Sequence, residues 1–174
     1  MTSNATRAAA LAEREADALL RYFERRVEER EDAADLLGMT LLALWRRSAD
    51  IPIGDESARM WLFGVAGRVL STHRRGRRRS LALADRLRGE LAISGGGEYA
   101  VAERVRAAVR ELPERDRELI GLTHWEGFGL SEAAKILGIR PGTARMRYQR
   151  ARERLAVSLA DIVMSVGRDH SLRS

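Results

Sequence analysis

The chain has 174 residues, 45% of them hydrophobic and 32% charged, with a formal net charge of +6 and no cysteine. That length suits one ordinary domain or two small ones, and the hydrophobic share is that of a globular protein. Disulfides, thiolate metal sites and a thiol nucleophile are excluded. No run approaches the ~20 apolar residues of a membrane span, and the opening MTSNATRAAALAERE lacks a secretory apolar stretch, so a cytoplasmic location is expected.

In chain order, every segment reads as helix, and none shows strand-like alternation. From about Ala8 to Arg30, Leu11, Leu19, Tyr22, Phe23 and Val27 recur at helical spacing. A second helix is predicted over Glu31–Arg47, with Leu37, Leu41, Leu44 and Trp45 as its buried stripe. Pro52 and Gly54 mark a loop, and Asp55 or Ser57 can cap the next helix. That third helix carries Trp61, Leu62, Val65, Ala66 and Val69 and is expected to dissolve into the basic run His73–Arg79. A short amphipathic piece over Leu81–Leu91 leads to Ser94-Gly95-Gly96-Gly97, the clearest linker in the chain. Beyond it, Val101, Val105, Ala108, Val109 and Leu112 share one face, and Pro113 restarts a helix through Trp125. The tail after about Val166 is expected to fray. The predicted fold class is therefore all-α: two small helical domains at 10–76 and 99–166, joined by a flexible linker at 77–98.

Residues 129–154 carry the most specific signal. A helix from Ser131 to Leu137 stops at Gly138, and Arg140-Pro141-Gly142-Thr143 restarts a second one. Proline suits a first helical turn because its missing N–H would be unpaired there anyway. Ala133, Ala134 and Leu137 can pack on Ile139, Ala144 and Tyr148, leaving Thr143, Arg145, Met146, Arg147, Gln149 and Arg150 outward or at the edges. This is a helix-turn-helix whose second helix is shaped and charged for the major groove.

Charge distribution says the same. Residues 68–79 hold six arginines and no acid, and 140–154 hold six arginines against Glu153, so the rest of the chain is mildly acidic. Lys135 is the only lysine. Two basic stripes on an acidic body make a nucleic-acid footprint. In the second stripe, arginine and glutamine can read base edges while other arginines hold phosphates. In the first, Trp61 and Phe63 beside the arginines match the stacking-plus-backbone chemistry of single-stranded DNA binding. No enzyme is indicated. His73, His124 and His170 are too scattered for a metal site or catalytic triad, Glu28-Glu29 and Glu31-Asp32 form no recognisable catalytic pair, and the glycines at 95–97 lack a P-loop lysine. No metal, cofactor or small-molecule substrate is expected.

Four pieces follow one another along the chain: Asp32-Ala33-Ala34-Asp35-Leu36-Leu37 with Thr40 to Arg46; Trp61 to Ala66 with Val69-Leu70 and His73-Arg74-Arg75; Leu112-Pro113-Glu114-Arg115; and Gly138-Ile139 with Gly142-Thr143 to Leu155. In this order they resemble an extracytoplasmic-function (ECF) sigma factor of bacterial RNA polymerase over nearly the whole chain. The resemblance implies that Asp32, Asp35, Leu36, Leu37, Thr40 and Leu41 dock on the clamp helices of the polymerase β′ subunit. It assigns the loop 48–56 and the helix 57–75, with Trp61, Arg68, His73, Arg74 and Arg75, to opening the minus-ten promoter element. In that family the loop pockets a flipped base, whose unstacking costs a few kcal/mol, and the connector threads toward the polymerase channels. Arg145, Met146, Gln149 and Arg150 align with base-facing positions for the minus-thirty-five element, and Thr143, Arg147 and Arg152 with phosphate contacts. The implied partners are core RNA polymerase (β′ clamp helices and β flap), promoter DNA and an inhibitory anti-sigma factor, with the free chain a monomer outside the membrane.

Three departures from the family pattern stand out. Gly38-Met39 replaces the Gln-Glu or Gln-Asp that precedes the threonine in the docking helix, Gly67-Arg68 replaces an Arg-Asn pair, and Arg140 replaces a serine cap. The first favours one alternative, a stand-alone helix-turn-helix regulator; a second, separate alternative is a sigma mimic that titrates an anti-sigma factor.

Overall fold

The computed structural model describes residues 3–84 and 100–171, with side chains described outside 80–84, 100–104 and 161–171. Two compact units divide the chain at Glu90. All regular structure among the described residues is helical, and no helix there is long and apolar enough to cross a membrane.

The first unit holds α1 (Asn4–Glu24), α2 (Arg30–Arg46), a single 3-10 turn at Ser48–Asp50 and α3 (Asp55–Ala84), each helix packing on the other two. The Ser3 hydroxyl accepts from the Ala5 N–H at 3.3 Å, so α1 begins earlier than its apolar periodicity implies. It also ends earlier, at Glu24 rather than Arg30. Glu28 and Glu29 would face the negative end of a longer α1, whereas Glu31 and Asp32 sit favourably in the first turn of α2. The core is aromatic at its centre: Tyr22 meets Phe23 and Phe63 edge-on, with ring centroids 5.1 and 5.5 Å apart. Leu11, Leu19, Leu36, Leu44, Leu62 and Leu70 close around them.

Two expectations are corrected here. The buried stripe of α2 is Ala33, Leu36, Thr40 and Leu44, whereas Trp45 is exposed and Leu37 and Leu41 are half-buried. Thr40 buries cheaply because its Oγ1 donates to the Leu36 carbonyl at 2.7 Å. The basic run does not dissolve, since α3 continues through residues 77–84, the first part of the expected linker. Arginine is a strong helix former, and Arg77 finds one acidic partner on α2 and one in the turn before it: Nη1 lies 3.0 Å from Asp32 Oδ2, and Nη2 lies 3.5 Å from Glu28 Oε2. The glycine-rich stretch 94–97 lies outside the described residues.

The second unit holds α4 (Ala100–Glu111), α5 (Glu114–His124), α6 (Leu130–Leu137) and α7 (Pro141–Ser171). Helices α4, α5 and α6 all pack on α7, and α5 also packs on α6. Leu112, Ile120 and Ala151 form a core cluster, with Tyr148 and Leu155 against it. Helix α7 reaches Ser171, past the expected fraying point near Val166.

Candidate nucleic-acid and polymerase interfaces

The turn between α6 and α7 is fixed by backbone chemistry. Gly138 takes φ +64°, the left-handed conformation that glycine adopts without a Cβ clash. Its N–H donates to the Lys135 carbonyl at 3.1 Å, and the Ile139 N–H to the Ala134 carbonyl at 3.0 Å. Those two bonds are a Schellman ending, which satisfies carbonyls that the end of α6 would otherwise leave unpaired. At the other end of α6, Glu132 Oε2 accepts from the Gly129 N–H at 2.7 Å. Helix α7 then opens on Pro141, and the Arg140 carbonyl accepts the Ala144 N–H at 3.0 Å. The angle between the two helices is thus set by hydrogen bonds as well as by packing.

At about 100° per residue, Ala144, Tyr148, Ala151 and Leu155 fall on one side of α7, and this is the side turned to the core. Opposite them Met146 (51% exposed) and Gln149 form a central strip, with Arg145 and Arg152 along one edge and Arg150 along the other, all exposed. Thr143 is half-buried at the start. Glu153, also exposed, ends the strip one turn past Gln149.

Arg147 behaves differently from its neighbours. Its Nη1 lies 2.8 Å from Asp116 Oδ1, and that carboxylate is buried on α5. The side chain therefore ties the recognition helix to its support before any phosphate is considered. A second tie joins His124 and Tyr148, whose rings stack at 5.8 Å with Nε2 and Oη 2.9 Å apart. Neither tie was legible in the sequence, because residues 24 or more apart had to be brought together.

On α3, Trp61, Arg68 and Arg75 recur every seven residues and share one face over about 21 Å. Arg68 and Arg75 are exposed, and Trp61 is half-buried with the Arg47 guanidinium 5.4 Å from its ring centroid. Arg74 is half-buried. His73 faces elsewhere: its Nε2 lies 3.6 Å from Asp32 Oδ1, and its Nδ1 is buried with no hydrogen-bond partner among the described residues. Phe63, expected beside the basic stripe as a stacking aromatic, is fully buried in the core.

Helix α2 splits the residues assigned to polymerase docking. Leu36 and Thr40 are fully inside the unit and cannot meet a partner. Asp32 is held by Arg77 and His73. Asp35 is exposed, and Leu37 and Leu41 are half-exposed. Met39, Leu42 and Trp45, at 51, 49 and 46% exposure, form an apolar row on the outer surface. These three were missed as a surface because α2 is apolar on most sides, so periodicity alone does not reveal which side is outward.

Comparison with known proteins agrees with this geometry. The family description "Sigma-70, region 4" matches residues 102–155, from α4 into α7. The ECF RNA polymerase sigma factor EcfG of Rhodopseudomonas palustris is 33% identical over 147 residues, covering 82% of this chain and 80% of that protein. The ECF RNA polymerase sigma factor SigL of Mycobacterium tuberculosis is 28% identical over 162 residues, covering 88 and 89% of the two chains. Among solved structures, the sigma factor RpoE of Bartonella quintana, crystallised with the anti-sigma factor NepR, is 26% identical with a TM-score of 0.69, over 86% of this chain and 94% of that one. The structure of CnrH with the cytosolic domain of CnrY is similar at a TM-score of 0.63, with 25% identity over 88% of each chain. With its helix-turn-helix, its two basic faces and these relatives, the chain belongs to the ECF family of RNA polymerase sigma factors.

Proposed function

We propose a division of labour for the two units of this ECF sigma factor, which binds core RNA polymerase and directs it to specific promoters. Residues 10–76 act as the region-2-like unit and 99–166 as the region-4-like unit. In the first, the outer surface of α2 docks on the β′ clamp helices through Asp35, Leu37, Leu41 and the apolar row Met39-Leu42-Trp45. Leu36 and Thr40 hold that surface from inside. Trp61, Arg68 and Arg75 on α3, flanked by Arg74, track the non-template strand of the minus-ten element, and the loop after the 3-10 turn meets an unstacked base. In the second unit, Arg145, Met146, Gln149 and Arg150 read the minus-thirty-five element in the major groove, with Thr143 and Arg152 on phosphates. Arg147 sets the orientation of that helix from Asp116.

The observation that carries this reading is the arrangement on α7: a strip of side chains able to read bases, bordered by exposed arginines, on a helix whose angle to α6 is fixed by the Gly138 turn. Gly38-Met39, the feature behind the stand-alone alternative, leaves α2 helical and puts Met39 in the apolar row. We assign no catalytic group to the chain, since the polymerase supplies the chemistry. Its place of action is the cytoplasm. An anti-sigma protein is a further partner, as the RpoE–NepR complex illustrates for a similar chain.

The test is a titration of labelled full-length protein with sigma-free core polymerase at two salt concentrations, followed by run-off transcription. Saturable one-to-one binding that survives moderate salt, with transcripts from defined start points, is the expected result. DNA binding without core binding would overturn the docking assignment.

A further inference from the structure

The loop between α2 and α3 is held from a residue far away in sequence. Arg7, in the first turn of α1, donates from one nitrogen, Nη2, to two successive carbonyls: Ile51 at 3.0 Å and Pro52 at 2.7 Å. Successive carbonyls of a regular extended chain point to opposite sides, so the chain bends here, and Arg7 fastens both oxygens on the side where they meet. The rest of the loop is fastened with the same economy. The Ile51 side chain is buried, and Pro52 fixes its own φ. Arg47 Nε lies 2.9 Å from Asp50 Oδ2, with its guanidinium over Trp61. Gly54 takes φ +91°, and its carbonyl accepts the Ala58 N–H to start α3. One face of α1 also supplies Arg14, two turns after Arg7, whose Nη1 lies 2.8 Å from Asp55 Oδ1. Loops normally adapt, but this one is fastened on both sides of Ile53, at Asp50, Ile51 and Pro52 before it and at Gly54 and Asp55 after it.

What the fastening presents is Ile53. It is 91% exposed at the loop tip, the largest exposure of any big apolar side chain among the described residues. A single exposed isoleucine on a mobile loop needs no explanation. One held out on a pinned loop, with the Trp61–Arg68–Arg75 face beginning at the next helix, is a preorganised apolar contact. Ordering the loop beforehand removes that entropy cost from the binding step.

We propose that Arg7 is a positioning residue for promoter recognition: by gathering the Ile51 and Pro52 carbonyls it holds Ile53 where an unstacked base of the minus-ten element packs against it. This rests on the assignment of the loop to the minus-ten element made above. Arg7 itself touches no base. Its influence passes through two main-chain oxygens, which is why it can lie in α1, well outside the motifs that mark the family.

The experiment uses holoenzyme assembled from the full chain and core polymerase, and selects bound DNA from a pool of randomised duplexes. Wild-type protein, Arg7→Ala, Arg7→Met, Ile53→Ser and the Arg7→Ala/Ile53→Ser double variant are compared. The expected result is that Arg7→Ala relaxes the preference at one minus-ten position by about five- to tenfold, with the minus-thirty-five preference and core affinity unchanged. Ile53→Ser relaxes the same position, and the double variant loses no more than the stronger single one, because both act through one contact. Arg7→Met keeps the long stem but removes every donor, so it is expected to follow Arg7→Ala. Should Arg7→Ala fold poorly, Arg7→Met carries the test alone. Full retention of wild-type preference by Arg7→Met shows that the two hydrogen bonds do not position the loop and overturns the proposal, as do additive effects in the double variant. Ile53→Ser with unaltered minus-ten preference overturns the loop assignment itself, and a wild-type holoenzyme that selects no two-part element overturns the reading beneath both.

Discussion

Arg147 Nη1 lies 2.8 Å from the buried Asp116 carboxylate, so the recognition helix α7 is fastened to α5 by an ion pair in its own second turn. Arg147→Ala leaves that carboxylate without its cation, at a cost of about 1–3 kcal/mol after allowing for the partial exposure of the pair. The double variant Asp116→Ala/Arg147→Ala is expected to lose less than the sum of the singles. Urea denaturation of the three variants checks this, and strictly additive losses would count against the pair.

On the DNA side, Arg150 and Arg147 are expected to part company. Arg150→Ala weakens the preference for one base, by about 1–3 kcal/mol, whereas Arg147→Ala weakens all promoters alike through the tilt of α7. Binding to a panel of single-base promoter variants distinguishes the two. Equal losses across the panel for both mutants would sink the assignment.

Glu153 is exposed and places a negative charge at the end of the strip proposed to meet DNA. Glu153→Arg is expected to tighten binding to all sequences and to steepen the salt dependence, by about 0.9 in the log–log slope for each added phosphate contact. Affinities across a salt series provide the measurement. An unchanged slope would mean that the groove contact ends before this turn.

Two glycines make opposite predictions. Gly38 lies mid-helix with nothing within 4 Å of an added Cβ, so Gly38→Ala is expected to stabilise α2 by about 0.5–1 kcal/mol. Gly138 also has open space around it, but its φ of +64° penalises any Cβ, and Gly138→Ala is expected to cost about 1–2 kcal/mol. Thermal melts of the two variants should move in opposite directions, and a parallel shift would refute the backbone argument.

How much could be read in advance depended on whether the controlling chemistry was local. The helix-turn-helix was legible because Gly138 and Pro141 act on their own backbone, and Ala144 and Tyr148 repeat at helical spacing. The side of α2 that turns inward was not. Five leucines, Met39 and Trp45 crowd seventeen residues, and the buried stripe includes a threonine that pairs its own hydroxyl with the Leu36 carbonyl. The continuation of α3 was likewise hidden, since six arginines in 68–79 read as a solvated run until Asp32 and Glu28 are placed beside Arg77. The position of His73 in its motif suggests a DNA contact, and only the packing of α3 on α2 reveals that the ring lies against Asp32. At α7 the outward residues were foreseen, whereas the role of Arg147 required a carboxylate 31 residues earlier in the chain.

The near-exclusive use of arginine has a practical corollary in Lys135. This single lysine is exposed in the last turn of α6, and its carbonyl accepts the Gly138 N–H that shapes the turn. In a chain without cysteine, it is the one side-chain amine that acylating reagents can modify. A fluorophore attached there sits beside the turn that leads into the recognition helix. Its emission would follow DNA engagement by the second unit alone, and comparing modification rates with and without DNA would give a footprint from a single atom.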